Sequence, residues 1–152
     1  MNLTVAVTKE VTFDCAHMLS GHASKCANLH GHTYKVQITV KAPVKEAYGE
    51  SDSAMVMDFA ELKSLIQEVI VNEFDHAVIF SSPELQNDAE KELYAWAQKW
   101  NMRHFVMDDR TTSECMATYF ASEIKAKLGR MGHMVAHVSA RVWETPTSFA
   151  EV

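Results

Sequence analysis

The stretch HGHTYKVQITV, residues 30–40, alternates between two kinds of side chain. The set that is imidazole, aromatic or aliphatic consists of His30, His32, Tyr34, Val36, Ile38 and Val40. The intervening set carries the polar residues Thr33, Lys35, Gln37 and Thr39. Alternation with a period of two predicts a strand with one buried face. The Ala42-Pro43 pair is expected to end this strand, because proline cannot donate to a sheet ladder.

A second alternating run, LTVAVTKEVTFDCAH, occupies residues 3–17. Its odd positions are mostly apolar and end on Phe13, Cys15 and His17. A short loop with Ser20 and Gly21 separates the two runs. We therefore expect two long strands with His17 at the end of the first.

Helical spacing replaces alternation in the middle of the chain. Asp58 is a candidate N-cap for a helix through residue 70. Ser82-Pro83 is a candidate N-cap and first position for a second helix that reaches Trp100. A third helix is expected to start within residues 111–113 and to stop at Gly129.

Alternation returns between Met134 and Glu144, and residues 147–152 are expected to form a short last strand. No repeat or linker divides the chain, so one domain over residues 1–152 is predicted. Two strands, then helices, then strands predict an α+β fold: an antiparallel sheet with helices packed on one face.

Composition narrows the class of protein. The 152 residues are 47% hydrophobic, which is enough for a core without disulfides, and the three cysteines cannot all pair. The formal net charge is −6 and no basic stripe is present, which argues against a nucleic-acid partner. No apolar run approaches 18 residues and no signal peptide is evident, so a cytoplasmic protein without a membrane span is expected.

The histidines carry the clearest chemistry. His30 and His32 flank one residue of a predicted strand, so both imidazoles face the same side about 7 Å apart. His17 supplies a third imidazole if the two strands pair antiparallel. Three histidines with an open position are typical of a catalytic zinc. The competing interpretation is that the His-x-His pattern is accidental, and three histidines on one face favour the metal site.

Cys26 precedes His30 by four residues and has three possible roles. It is a fourth ligand that closes a structural site, a buried spectator, or a thiolate that acts beside the metal as base or nucleophile. The residue pattern alone leaves these alternatives open.

Three acidic positions have both a structural and a functional interpretation. Asp75-His76 is either a general acid/base pair or a helix end with a favourable histidine. Glu114 is placed to complete a capping box with Thr111. The alternation of its predicted strand places Glu144 on the apolar side, where a buried carboxylate needs hydrogen-bond donors. A ligand with two parallel N–H donors would supply them.

Together these residues resemble the 6-pyruvoyl-tetrahydropterin synthase/6-carboxytetrahydropterin synthase family. The matching pieces follow the family's order across nearly the whole chain: Phe13-Asp14-Cys15-Ala16-His17, Cys26-Ala27-Asn28-Leu29-His30-Gly31-His32, Met57-Asp58-Phe59, Asp75-His76, Thr112-Ser113-Glu114 and Trp143-Glu144-Thr145. The resemblance implies the tunnelling fold, a homo-hexamer built as a dimer of trimers, and active sites between subunits.

The resemblance also implies roles for individual residues. The zinc ligands would be His17, His30 and His32. The catalytic residues would be Cys26 as the thiol, with Asp75 and His76 as acid/base partners contributed by a neighbouring subunit. The substrate-binding residues would be Glu144 at the amino-pyrimidine edge of a pterin, with Glu114 and Thr112 nearby.

The reaction implied is a zinc-dependent lyase step on 7,8-dihydroneopterin triphosphate. The spacing of a single cysteine to His-Gly-His favours 6-carboxy-5,6,7,8-tetrahydropterin as product, in the queuosine precursor pathway. The alternatives are a 6-pyruvoyl-tetrahydropterin synthase that releases triphosphate only, a non-catalytic zinc module and a carbonic-anhydrase-like hydrase. Two features depart from the family: the longer segment of residues 78–110, and Cys115 after Glu114.

Overall fold

The computed structural model describes residues 3–46, 48–135 and 137–152. Its strands are β1 (Thr4–His17), β2 (His30–Pro43), β3 (Ala77–Phe80), β4 (His104–Val106), β5 (His137–Thr145) and β6 (Ser148–Glu151). Its helices are α1 (Phe59–Ile66), α2 (Asn72–Phe74), α3 (Asp88–Lys99) and α4 (Ser113–Arg130). The π-helical residues Gln67–Val71 join α1 to α2, so one helical stretch leads from Phe59 to Phe74.

The strands form one sheet in the order β4-β3-β1-β2-β5-β6. The strands β1, β2, β5 and β6 pair antiparallel, whereas β3 lies parallel to β1 and β4 parallel to β3. The predicted α+β class with helices on one face of the sheet is confirmed. The sheet is mixed because β3 and β4, of four and three residues, add two parallel strands that are too short to give a period-two signal.

The core lies between the sheet and the helices, and aromatic rings fill its centre. Phe13 of β1 and Tyr34 of β2 are paired across the strands and stack with their centroids 5.3 Å apart. Phe120 of α4 and Phe74 of α2 pack edge-on against Phe13. A slip of one residue between β1 and β2 would turn these rings towards solvent, so the core fixes the register of the two strands.

Several predicted boundaries shift in the structure. The N-cap of α4 is Thr112, whose hydroxyl accepts from the Cys115 N–H, so the predicted capping box of Thr111 with Glu114 does not form. Gly129 lies inside α4, and the left-handed residue that follows the helix is Gly132, with φ +86°. Glycine is favoured at Gly132 because a side chain there would strain the backbone.

The other shifts are smaller. The second predicted helix begins at Asp88 with Asn87 as N-cap, and Ser82-Pro83 opens a separate 3₁₀ turn. The prediction that β2 ends at the Ala42-Pro43 pair is confirmed, since Pro43 is its last residue. β5 begins at His137 instead of Met134, and Ala136 lies outside the described residues. Within the described ranges, no helix has the length and apolar character needed to cross a bilayer.

Candidate metal centre and surrounding residues

The pairing of β1 with β2 brings the three histidines together. His17 is the cross-strand partner of His30, and His32 lies two residues further along the same face of β2. Gly31, between them, pairs with Ala16, and a Cβ at this position would lie 3.0 Å from the Cys15 carbonyl oxygen. The absence of a side chain at Gly31 therefore permits the close approach of the strands beside the histidines.

The hydrogen bonds of the rings determine which nitrogen carries the proton. The Nδ1 of His17 donates to the Thr111 carbonyl oxygen at 2.8 Å, and the Nδ1 of His30 donates to the Asn28 carbonyl oxygen at 2.7 Å. A neutral imidazole has one donor and one acceptor nitrogen. Because carbonyl oxygens only accept, Nε2 is the unprotonated nitrogen of each neutral ring and bears its lone pair, and the Nε2 of His17 also lies 3.5 Å from the Tyr34 hydroxyl.

These two lone pairs face each other. The Nε2 atoms of His17 and His30 are 3.1 Å apart, and no proton remains to bridge them when both rings are neutral. His17 is only 1% exposed, and its pKa is lowered to about 4. Burial is the largest cause of this shift, the neighbouring His30 and His32 add to it, and the hydrogen bond to Thr111 opposes it. A proton is therefore disfavoured there at neutral pH, and a metal cation would relieve the repulsion.

His32 completes the cluster. Burial lowers the pKa of His32, and Glu144 opposes that shift. Its Nε2 is buried without a hydrogen-bond partner among the residues described, because the Glu144 Oε1 lies 3.5 Å away and does not meet hydrogen-bond geometry. A buried polar atom without a partner is costly unless a ligand satisfies it.

Nitrogen atoms of the three rings all lie within 4.8 Å of one another. In the part of the chain that the structure describes, this is the only such group of three or more metal-binding side chains, and Cys26 does not belong to it. Three imidazoles, two of them held by backbone carbonyls, suit Zn²⁺ and leave a position for another ligand.

Cys26 lies in the loop between β1 and β2, in the 3₁₀ turn Lys25–Ala27. Its side chain is half-buried, and its carbonyl oxygen accepts from the Leu19 N–H at 2.9 Å. Cys15 is buried in the core, where burial raises the pKa of its thiol to about 12. Cys15 is thus a poor candidate for a thiolate, and Cys26 is more accessible to a ligand.

Asp75 and His76 form a tight turn after α2. His76 adopts a left-handed φ of +59°, its N–H donates to the Asp14 carbonyl oxygen at 2.7 Å, and its Nδ1 lies 3.0 Å from the Asp75 carboxylate. The Asp14 N–H that donates to Asp75, together with His76, holds the pKa of Asp75 below its usual range. His76 and His32 line the same cavity of about 490 Å³.

The predicted substrate-binding residues fall into two places. Glu144, near the end of β5, approaches the three-histidine cluster through His32. Thr112 caps α4, and Glu114 lines a separate cavity of about 350 Å³ with Cys115 and Tyr119. The structure therefore joins Glu144 to the histidines within one chain, whereas the cavity beside Glu114 has none of the three histidines in its lining.

The sequence analysis missed three supporting groups. The carbonyls of Thr111 and Asn28 fix the two imidazoles, and a backbone group leaves no trace in residue type. Asp14 supports the Asp75-His76 turn from β1 through both its N–H and its carbonyl. Its position in a strand, on the polar face beside Thr33, was the available signal.

Comparison with known proteins agrees with this geometry. The family model described as 6-pyruvoyl tetrahydropterin synthase matches residues 6–152. A protein of Haemophilus influenzae named 6-carboxy-5,6,7,8-tetrahydropterin synthase is 39% identical over 145 residues, which cover 95% of this chain and 96% of that protein. A Rickettsia felis protein of the same name is 29% identical over 148 residues, covering 97% and 99% of the two chains.

Solved structures share the fold at low sequence identity. An uncharacterised protein from Wolinella succinogenes aligns with a TM-score of 0.73 at 20% identity, over 99% of this chain and 98% of that one. The 6-pyruvoyl tetrahydropterin synthase of Plasmodium vivax aligns with a TM-score of 0.72 at 18% identity, over 99% and 97%. The architecture is thus that of the tunnelling fold. The chain belongs to the 6-pyruvoyl tetrahydropterin synthase family and is an enzyme of the pterin synthase type.

Proposed function

We propose that the protein is a zinc-dependent lyase that converts 7,8-dihydroneopterin triphosphate to 6-carboxy-5,6,7,8-tetrahydropterin. The observation that carries the proposal is the pair of facing Nε2 lone pairs on His17 and His30, beside the unpartnered Nε2 of His32. The name of the Haemophilus influenzae relative supports this substrate class and product. The proposed setting is the cytoplasm and the queuosine precursor pathway.

The proposed metal ligands are His17, His30 and His32. When bound, zinc supplies a Lewis acid that polarises side-chain hydroxyls of the substrate and acidifies the adjacent C–H. The Thr111 and Asn28 carbonyls hold the Nδ1 protons of His17 and His30, so that both Nε2 atoms stay free for coordination.

Cys26 is the proposed general base. Its half-buried position in the β1–β2 loop leaves it accessible, and its absence from the three-histidine group supports a role other than closing ligand. Removal of a substrate proton by a positioned side chain contributes about 10²–10⁴-fold to a rate. Asp75 orients His76 through the 3.0 Å contact, and His76 is proposed to move protons to and from the substrate.

Glu144 is the proposed anchor for the amino-pyrimidine edge of the pterin. Its carboxylate is partly exposed next to His32, so it can accept two parallel N–H donors at the edge of the metal site. Thr112 and Glu114 are proposed to contact the substrate as well. Because Glu114 lines a different cavity of the chain, its role fits an active site shared between subunits.

A homo-hexamer is proposed on the same resemblance. The sheet face opposite the helices is largely uncovered in a single chain, and β6 is an edge strand. Light scattering after gel filtration tests this proposal: a hexamer of 17.1 kDa chains would give a mass of about 103 kDa. A monomer mass of 17.1 kDa would contradict it.

The experiment that tests the proposed function is a product analysis. Zinc-loaded protein is incubated with 7,8-dihydroneopterin triphosphate, with metal-depleted protein as the control, and the products are identified by mass. A carboxy-pterin with acetaldehyde and triphosphate is the expected result. A pyruvoyl-pterin would instead support the alternative suggested by the name of the family model. Unreacted substrate would contradict both.

A further inference from the structure

The segment of residues 78–110 contains a fully buried carboxylate. Glu90, in the first turn of α3, is 0% exposed. Glutamate is almost never buried without partners, because its removal from water must be offset by hydrogen bonds or charge. The partners of Glu90 therefore indicate what the residue does.

Both carboxylate oxygens of Glu90 accept a hydrogen bond. The Ser81 N–H, just after β3, donates to Oε1 at 2.7 Å. The Ser20 hydroxyl, in the loop that follows β1, donates to Oε2. Glu90 thus connects α3 to the start of the loop that carries Cys26, and an apolar side chain in its place would leave both donors without this acceptor.

Two further groups of the same segment bind Ser20. The Asn87 N–H donates to the Ser20 hydroxyl oxygen at 3.1 Å, and the Arg110 guanidinium donates to the Ser20 carbonyl oxygen at 3.0 Å. Ser20 is therefore held from three sides by residues 87–110. Loops are ordinarily more mobile than the elements they connect, and these contacts restrict this one at Ser20.

The residue next to Ser20 is hydrogen-bonded to Cys26. Leu19, the residue before Ser20, donates its N–H to the Cys26 carbonyl oxygen at 2.9 Å and so closes the loop at its base. A backbone held at residues 19 and 20 limits where the thiol of Cys26 can point. A reacting group misplaced by about 1 Å can lower a rate about 100-fold.

We propose that Glu90 is a positioning residue that fixes the Cys26 loop through Ser20, and that this is the role of the segment of residues 78–110. The inference rests on the proposed function of Cys26 as the base. It assigns to α3 an effect on kcat rather than on substrate binding, because Ser20 and Glu90 are connected to the base rather than to Glu144.

The test compares Ser20→Ala, Glu90→Gln and the double variant with the wild type. Glu92→Gln is the matched control, since Glu92 is an exposed glutamate of the same helix. For each zinc-loaded protein, kcat and KM for 7,8-dihydroneopterin triphosphate are measured per bound zinc, together with hydrogen exchange of residues 19–28 and of α4.

We expect kcat to fall about 10- to 100-fold in Ser20→Ala and Glu90→Gln, with KM within about 2-fold of wild type. The double variant should lie close to the more affected single variant, because both single variants break the contact that Ser20 and Glu90 share. Exchange of residues 19–28 should accelerate at least about 10-fold while α4 stays protected. Glu92→Gln should match the wild type in every measurement.

Two outcomes would overturn the proposal. Unchanged kcat and unchanged exchange would show that the contact does not hold the loop. A reduced yield of folded, zinc-loaded protein with wild-type kcat per zinc would show a purely structural role. If the wild type itself does not turn over, the proposed function fails, and the exchange of residues 19–28 still decides whether Glu90 holds the loop.

Discussion

The cluster of His17, His30 and His32 and the Asp75-His76 turn are held in different ways. The three histidines project from two paired strands whose register is fixed by the aromatic core, and His17 is almost completely buried. The side chain of His76 is 78% exposed and stands on a left-handed residue. Strands thus fix the groups that would hold a metal, whereas the group proposed to move protons lies on an exposed turn.

The largest expected effect comes from the strand-borne cluster. His30→Ala and His32→Ala should each lose tightly bound zinc and all measurable turnover, since two imidazoles hold zinc poorly. The fold should persist, because the core between the sheet and the helices is intact. Elemental analysis and circular dichroism check this, with the exposed His137→Ala as control. Full zinc occupancy in both variants would remove the metal site from the proposal.

Cys26→Ala should keep zinc and lose turnover by about 100-fold or more, because it removes the proposed base and none of the imidazoles. Zinc content and initial rate are measured on the same preparation, and Cys115→Ala serves as the control for loss of a half-buried thiol. Loss of zinc, with activity restored by excess metal, would instead identify Cys26 as a closing ligand.

The stability of the metal-free protein should fall as the pH drops from about 6.5 to about 4. The pKa of folded His17 is about 4 against an ordinary value of 6.5, so the unfolded chain binds the extra proton in this window. The loss from this residue is at most about 3 kcal/mol. Urea unfolding at pH 7, 5.5 and 4.5 measures it.

His137→Ala is the matched control for this pH dependence, because it removes an exposed histidine and should keep the same slope. The pKa of the Asp75 carboxyl is lowered from its ordinary value of 3.8, so the stability that this group provides is lost mainly below pH 3.8. That range lies outside the interval from pH 6.5 to pH 4. A flat stability between pH 6.5 and 4 would contradict the assignment of His17 as a neutral, buried imidazole.

Glu144→Ala should weaken pterin binding about 10- to 150-fold, the equivalent of about 1.5–3 kcal/mol for charge-assisted hydrogen bonds. Equilibrium binding to zinc-loaded protein measures this effect, with the exposed Glu84→Ala as control. Unchanged affinity in a folded Glu144→Ala variant would show that another residue anchors the ligand.

The smallest expected effect is a difference in stability between two variants of the Asp75-His76 turn. His76→Gly should be more stable than His76→Ala by about 1 kcal/mol, because only glycine adopts the φ of +59° without strain. Both variants should lose turnover if His76 moves protons. Urea unfolding and initial rates on the pair check this. Equal stability of the two variants would show that the turn carries no strain.

The periodicity of apolar residues predicted the long strands and helices, because each of them presents one face to the core over many residues. The alternation of residues 3–17 and 30–40 predicted β1 and β2, and the phase of that alternation put His30 and His32 on the buried face. The strands β3 and β4 were missed because three or four residues carry no periodicity and are placed by parallel pairing with β1 and with each other.

By itself, the sequence determined the α+β class, the family motifs in their order and the three candidate zinc ligands. These follow from periodicity and residue type, which are local properties of the chain. Only the tertiary structure decided that Nε2 is the free nitrogen of His17 and His30, because distant backbone carbonyls take the Nδ1 protons. It alone connected Glu90 to Ser20, 70 residues apart, since no local pattern records which loop a buried carboxylate will meet.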